Sequence, residues 1–131
     1  MTFDIARIAR FTTWALAALI VFLSVVPPDL RPETPAPHAL EHIAIFAALG
    51  FAAGIGYHRR PMAVAIALVT FAAFVEVVQL FVPGRHARLS DFAIDALAAI
   101  IGLIVAGLLG LIRAPAKRST RQVCAHNPLR D

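Results

Sequence analysis

Apolar residues run along the chain in four blocks, over positions 11–26, 43–57, 62–82 and 92–112, and inside a block polar residues do not recur at amphipathic spacing. A helix that is hydrophobic all round has no face to offer water, so such blocks belong in a bilayer or in the middle of a large core. Bilayer hydrocarbon is about 30 Å thick and takes about 20 helical residues to cross. The last two blocks meet that length as they stand. The first meets it if Ile8 to Arg10 join its helix with Arg10 reaching back to the headgroups, and the second if its helix begins near Ala39. The pattern therefore predicts an all-α fold, a four-transmembrane-helix bundle. Its helices are expected at about 8–26, 39–57, 61–82 and 91–112 of a membrane domain spanning 1–113, followed by a basic, disordered tail over 114–131.

Composition supports the bilayer over the large core. The chain has 131 residues, 60% hydrophobic and 15% charged, with a mean hydropathy of +0.78; a soluble domain carries about a quarter charged residues. Arg7 and Arg10 ahead of the first block would also suit a signal peptide, but the block ends in "SVVPP" without a small-x-small cleavage site and reads as a span. The single cysteine, Cys124, falls in the tail and can form no internal disulfide.

Charge gives the orientation. With the N-terminus inside, the inner segments hold Arg7, Arg10, Arg59, Arg60, Arg113, Lys117, Arg118, Arg121 and Arg130, nine of the twelve Lys and Arg, and the outer side keeps Arg31, Arg85 and Arg88. Positive residues are retained in the cytoplasm, so both termini are expected there. The basic tail is then a matter of topology and anionic lipid rather than of nucleic acid, which is not expected as a partner.

Against that background a few polar residues are costly. The segment "FVEVVQLFVPGRHARLSD" places Glu76 and Gln79 on one helix face, then Arg85, His86 and Arg88 in a turn short enough to join only adjacent antiparallel helices. Pro83 and Gly84 end the third helix, and Ser90 is expected to cap the fourth with Asp91 in its first turn. Asp91 and Asp95 lie four apart at the start of the fourth helix, and His38 and His42 four apart at the start of the second, so the pairs share one depth near the outer surface. The stripe Asp91, Asp95, Ala98, Gly102, Ala106, Gly110 puts the acids on a face of small residues that allow close packing, and Gly50 and Gly54 offer the second helix the same option. An ionisable side chain at the middle of a span costs about 2.5–3.5 kcal/mol, and less near the surface, so something local must offset it. Two readings stand: an outward-facing polar pocket that binds a ligand through His42, Glu76, Gln79, Arg85, Asp91 and Asp95, and a structural lock in which Arg85 folds onto Glu76 or Asp91 while Gln79 bridges helices.

The set Glu76-x-x-Gln79, "VPGR" ending at Arg85, Asp91 opening one apolar helix and His42 opening an earlier one resembles the VanZ-like family of small bacterial membrane proteins, over roughly residues 37–109. The resemblance implies a multi-pass protein of the cell envelope, in a family named for a member linked to resistance to the lipoglycopeptide teicoplanin. It also marks His42, Glu76, Gln79, Arg85 and Asp91 as the residues to watch. The chain departs from the family's habit at His38 and Ala39, where an Asp-Lys pair is frequent, at Asp95, where Asn is common, and at Ala98, where glycine is common.

Acids beneath and bases above suit an amphiphile: a phosphate or carboxylate at the arginines, sugar or amide groups at the acids and Gln79, and a tail along the helices. Membrane lipids are the expected partners, together with a lipid-linked envelope precursor or a lipoglycopeptide. No cofactor is expected. A metal site of His42, Glu76, Asp91 and Asp95 lacks the Glu-x-x-His signature of bundle metal centres and is not expected either. Whether the protein is an enzyme is left open: no nucleophile is placed for catalysis, but a carboxylate acid/base pair with Arg85 and His86 holding a phosphate would suit a membrane enzyme acting on a phosphate-containing lipid or cell-wall precursor. A purely structural membrane protein is the remaining alternative.

Overall fold

Asp4 starts the first helix. Its carboxylate accepts from the Ala6 N–H at 3.2 Å and its carbonyl takes the Arg7 and Ile8 amides, which satisfies donors that a helix start leaves orphaned. The computed structural model describes residues 4–26, 38–82 and 88–113, and among these all regular structure is helical: α1 (Ile5–Val25), α2 (His38–Gly56), α3 (Pro61–Gln79) and α4 (Leu89–Arg113). The tail beyond residue 113, with Cys124, lies outside the described residues, as do Pro83 and Gly84.

Helix ends follow local chemistry. Pro61 occupies the first turn of α3, where its missing N–H removes nothing. At the far end α3 tightens into three-residue bonds, Leu80 N–H to Val77 O, Phe81 to Val78 and Val82 to Gln79, so the regular helix stops at Gln79 rather than near residue 82. α4 begins at Leu89, two residues before Asp91. Arg88 O accepts from the Asp91 and Phe92 amides, and Ser90, expected as the cap, instead lies inside the first turn with its hydroxyl donating to Asp91 Oδ1 at 3.1 Å.

Among the described residues three helices are long and apolar enough to cross a membrane, Ile5–Val25, Pro61–Gln79 and Leu89–Ile112; the apolar stretch of α2, Leu40–Gly56, is shorter. α2 lies between α1 and α4 and packs most extensively on α4, while α3 bridges α4 and α1 on the other side. Small and polar residues are frequent inside the bundle, and many of the large apolar side chains face outward. Its buried positions include Ala52, Ala53, Ala72, Ala98, Ala99 and Ala106 with the polar Ser24, Glu76, Gln79 and Asp95, whereas Phe11, Trp14, Phe22, Phe74, Ile101 and Leu108 are exposed. In water that arrangement would leave the driving force for folding unused; in lipid, helices associate through small residues that bring backbones close, and large side chains face the acyl chains. The protein is a membrane protein.

The crossing of α2 over α4 sets the core. A Cβ added at Gly50 would overlap the Ala99 carbonyl, one at Gly102 would overlap the Ala47 carbonyl, and one at Gly54 would lie 2.6 Å from Ala106 Cβ. The two backbones therefore touch, and the small-residue stripes on both helices are the surfaces that meet. Phe46, Leu49, Val75 and Ala99 close the centre, with Phe46 tilted on Phe71 at a centroid distance of 6.2 Å.

Candidate functional site

The helix crossing carries its polar residues to one end of the bundle. The N-termini of α2 and α4 and the C-terminus of α3 meet there, and the spacings that put Glu76 beside Gln79 and Asp95 above Ala98 and Gly102 turn all of these residues inward. Asp95 is 1% exposed. It meets His42 across the α2–α4 contact, with Nδ1 3.1 Å from each carboxylate oxygen. The contact holds the imidazole ring in one orientation against the carboxylate, and Nδ1 donates to it in the tautomer that carries its proton there. The imidazole also stacks on Phe46, at a centroid distance of 6.4 Å.

Glu76 is buried on α3 and reaches the start of α4, where its Oε1 accepts from the backbone N–H of Arg88. Asp91, Asp95 and His42 are all close enough to act on it electrostatically. Three helices thus contribute to one charged cluster, although no three His, Cys, Asp or Glu side chains among the described residues are placed to hold a metal ion. Two buried atoms are left over. Glu76 Oε2, an acceptor, and Gln79 Nε2, a donor, have no hydrogen-bond partner among the described residues. A buried polar group without a partner costs about 1–3 kcal/mol, and native proteins carry few of them.

Of the residues singled out from the sequence, His42, Glu76, Gln79, Asp91 and Asp95 come to the same end of the bundle, with Asp91 half-buried at its edge. Arg85 and His86 lie outside the described residues, as does the side chain of His38. Two features had no sequence signal. The Arg88 amide is a backbone donor, which any residue supplies, and the His42–Asp95 pairing joins positions 53 apart whose meeting depends on which helices touch.

Four apolar helices packed through small residues, with a buried carboxylate, imidazole and amide cluster at one end, are those of a small helical membrane protein. Residues 4–110 match the VanZ/LLP1 family, and the chain belongs to it. No curated protein and no solved structure matches the chain.

Proposed function

We propose that this is a multi-pass protein of the bacterial cytoplasmic membrane, both termini inside, whose polar end opens outward and binds a lipid-linked or amphiphilic molecule of the cell envelope. The unpartnered Glu76 Oε2 and Gln79 Nε2 carry this reading. Among the described residues nothing pairs these two buried atoms, and an acceptor and a donor on one face of α3 are what a ligand's hydroxyl and carbonyl groups require. The rim supports an amphiphile: Leu80, Phe81 and Leu89 are exposed beside the polar cluster, where an acyl or prenyl chain would lie, and Arg85 is available from sequence for a phosphate or carboxylate. The family's link to teicoplanin resistance fits a ligand that combines sugar, amide and lipid.

A second reading, a membrane enzyme acting on a phosphate-containing lipid or cell-wall precursor, draws on one observation. The His42–Asp95 bond orients an imidazole for proton transfer beside a second carboxylate, Glu76.

One experiment addresses both. A photoreactive residue at Leu80 or Leu89 should capture polyprenyl-linked or phospholipid species in cells, and capture should fall in Arg85→Ala and Glu76→Gln at near-normal protein abundance. Capture unchanged by both substitutions would mean that the probe reports bulk lipid, and the binding reading would be withdrawn. A captured species altered in mass relative to the free lipid would favour the enzyme.

A further inference from the structure

The opposite end of the bundle holds two adjoining cavities. One is a cleft of about 400 Å³ between α1, α2 and α3, walled by Trp14, Ala17, Ala53, Val64, Ala67 and Leu68. The other, of about 380 Å³, is polar and lined by Asp4, Arg10, His58, Arg59 and Arg60. Tyr57 and Arg60 line both, so the two form one continuous site. Tyr57 is fixed at the junction, its hydroxyl accepting from Trp14 Nε1 at 3.1 Å.

Three cations converge here with little to occupy them. Arg10 uses only Nε, donating to Ala6 O at 3.1 Å, and the Arg59 and Arg60 guanidinium groups have no partner among the described residues. The one carboxylate, Asp4, is engaged at the start of α1 by the Ala6 N–H. Retention of positive charge on one side of the membrane accounts for arginines in this segment. It does not account for their facing a pocket that runs into a lipid-facing apolar cleft. We propose that this is a binding site for an anionic glycerophospholipid, its phosphate held by Arg60, Arg59 and Arg10 and one acyl chain lying in the cleft beside Trp14. Basic pockets between membrane helices select anionic headgroups, each nearby arginine contributing about fivefold. The headgroup end of the site, at Arg60, lies 16 residues and about 24 Å along α3 from Glu76, and the site does not depend on the function assigned there.

The protein has a single tryptophan, and it lines the cleft, so it reports occupancy directly. The full chain is reconstituted in nanodiscs with acyl-brominated phosphatidylglycerol or acyl-brominated phosphatidylcholine at equal mole fraction, and quenching of Trp14 emission is compared. The anionic lipid should quench preferentially, by at least about fivefold in apparent occupancy. Arg60→Gln should cut that preference about fivefold, with helicity retained by circular dichroism. Arg7→Gln, which removes the same charge from an exposed position outside the pocket, should leave the preference unchanged. Equal quenching by the two lipids overturns the proposal. So does a preference that survives Arg60→Gln, or one that falls as far in Arg7→Gln, since either would reduce the effect to surface charge.

Discussion

Removing Asp95 should be the most damaging single side-chain deletion at the polar end. The carboxylate is 1% exposed and the His42 side chain 14%, so Asp95→Ala takes away the carboxylate that His42 Nδ1 meets, in a place water barely reaches. Deleting one partner of a desolvated pair costs about 3–5 kcal/mol, and the residual access to His42 puts the expected loss near the lower end, about 3 kcal/mol. Asp95→Asn keeps the shape and one acceptor oxygen for Nδ1 and loses only the charge, so it should cost about 1 kcal/mol. In a double-mutant cycle with His42→Ala the two losses should fail to add by about 1.5–3 kcal/mol, the worth of a hydrogen bond to a charged group. Reversible unfolding in mixed detergent micelles, followed by helical circular dichroism, measures all four corners. Equal losses for Asp95→Ala and Asp95→Asn, or losses that simply add, would refute the argument and leave the contact as proximity alone.

Two further outcomes follow from packing and charge. Gly50→Val and Gly102→Val must push apart backbones that already touch and should each cost about 3 kcal/mol or more, whereas Gly107→Ala and Gly110→Ala, which open onto empty space, should raise stability by about 0.5–1 kcal/mol through helix propensity; thermal melts in detergent that rank the four alike would contradict the crossing. Reporter fusions at Arg60 and Arg121 should read cytoplasmic and one between Arg85 and Arg88 external, and a cytoplasmic reading for that turn would leave the polar end facing the wrong compartment for an envelope ligand.

The four helices were legible because lipid imposes a crude rule: long apolar blocks with charged or proline-rich breaks between them. Their ends were less so. α1 starts at Ile5, earlier than the apolar block suggests, because Asp4 caps it, and α4 starts before Ser90 because a backbone carbonyl, that of Arg88, closes its first turn. The inward face of α4 could be read from the way Asp95 shares a stripe with Ala98, Gly102 and Ala106, a face on which small residues and acids belong together. Its partner could not. The choice of α2 over α3 as its main neighbour depends on Gly50 and Gly54 meeting Ala99 and Ala106 at one register, and a small-xxx-small pair does not say which helix it awaits. For the same reason His42 and Asp95 could each be singled out as costly in a membrane, but not joined to one another.

The separation of that pair along the chain has a meaning in time. His42 and Asp95 are 53 residues apart, and at about 5–20 residues synthesised per second the first is made about 3–10 s before the second. Throughout that interval α2 has α1 as a neighbour, held in part by Trp14 and Tyr57, while the side of Gly50 and Gly54 has no helix against it. The newborn α1–α2 hairpin must therefore wait in the bilayer, or in the insertion machinery, with an imidazole near one surface and a bare strip of backbone facing acyl chains. Any protein or lipid that shelters that strip acts on assembly before the finished bundle exists, and a lesion in α4 would be felt as a hairpin that waits too long.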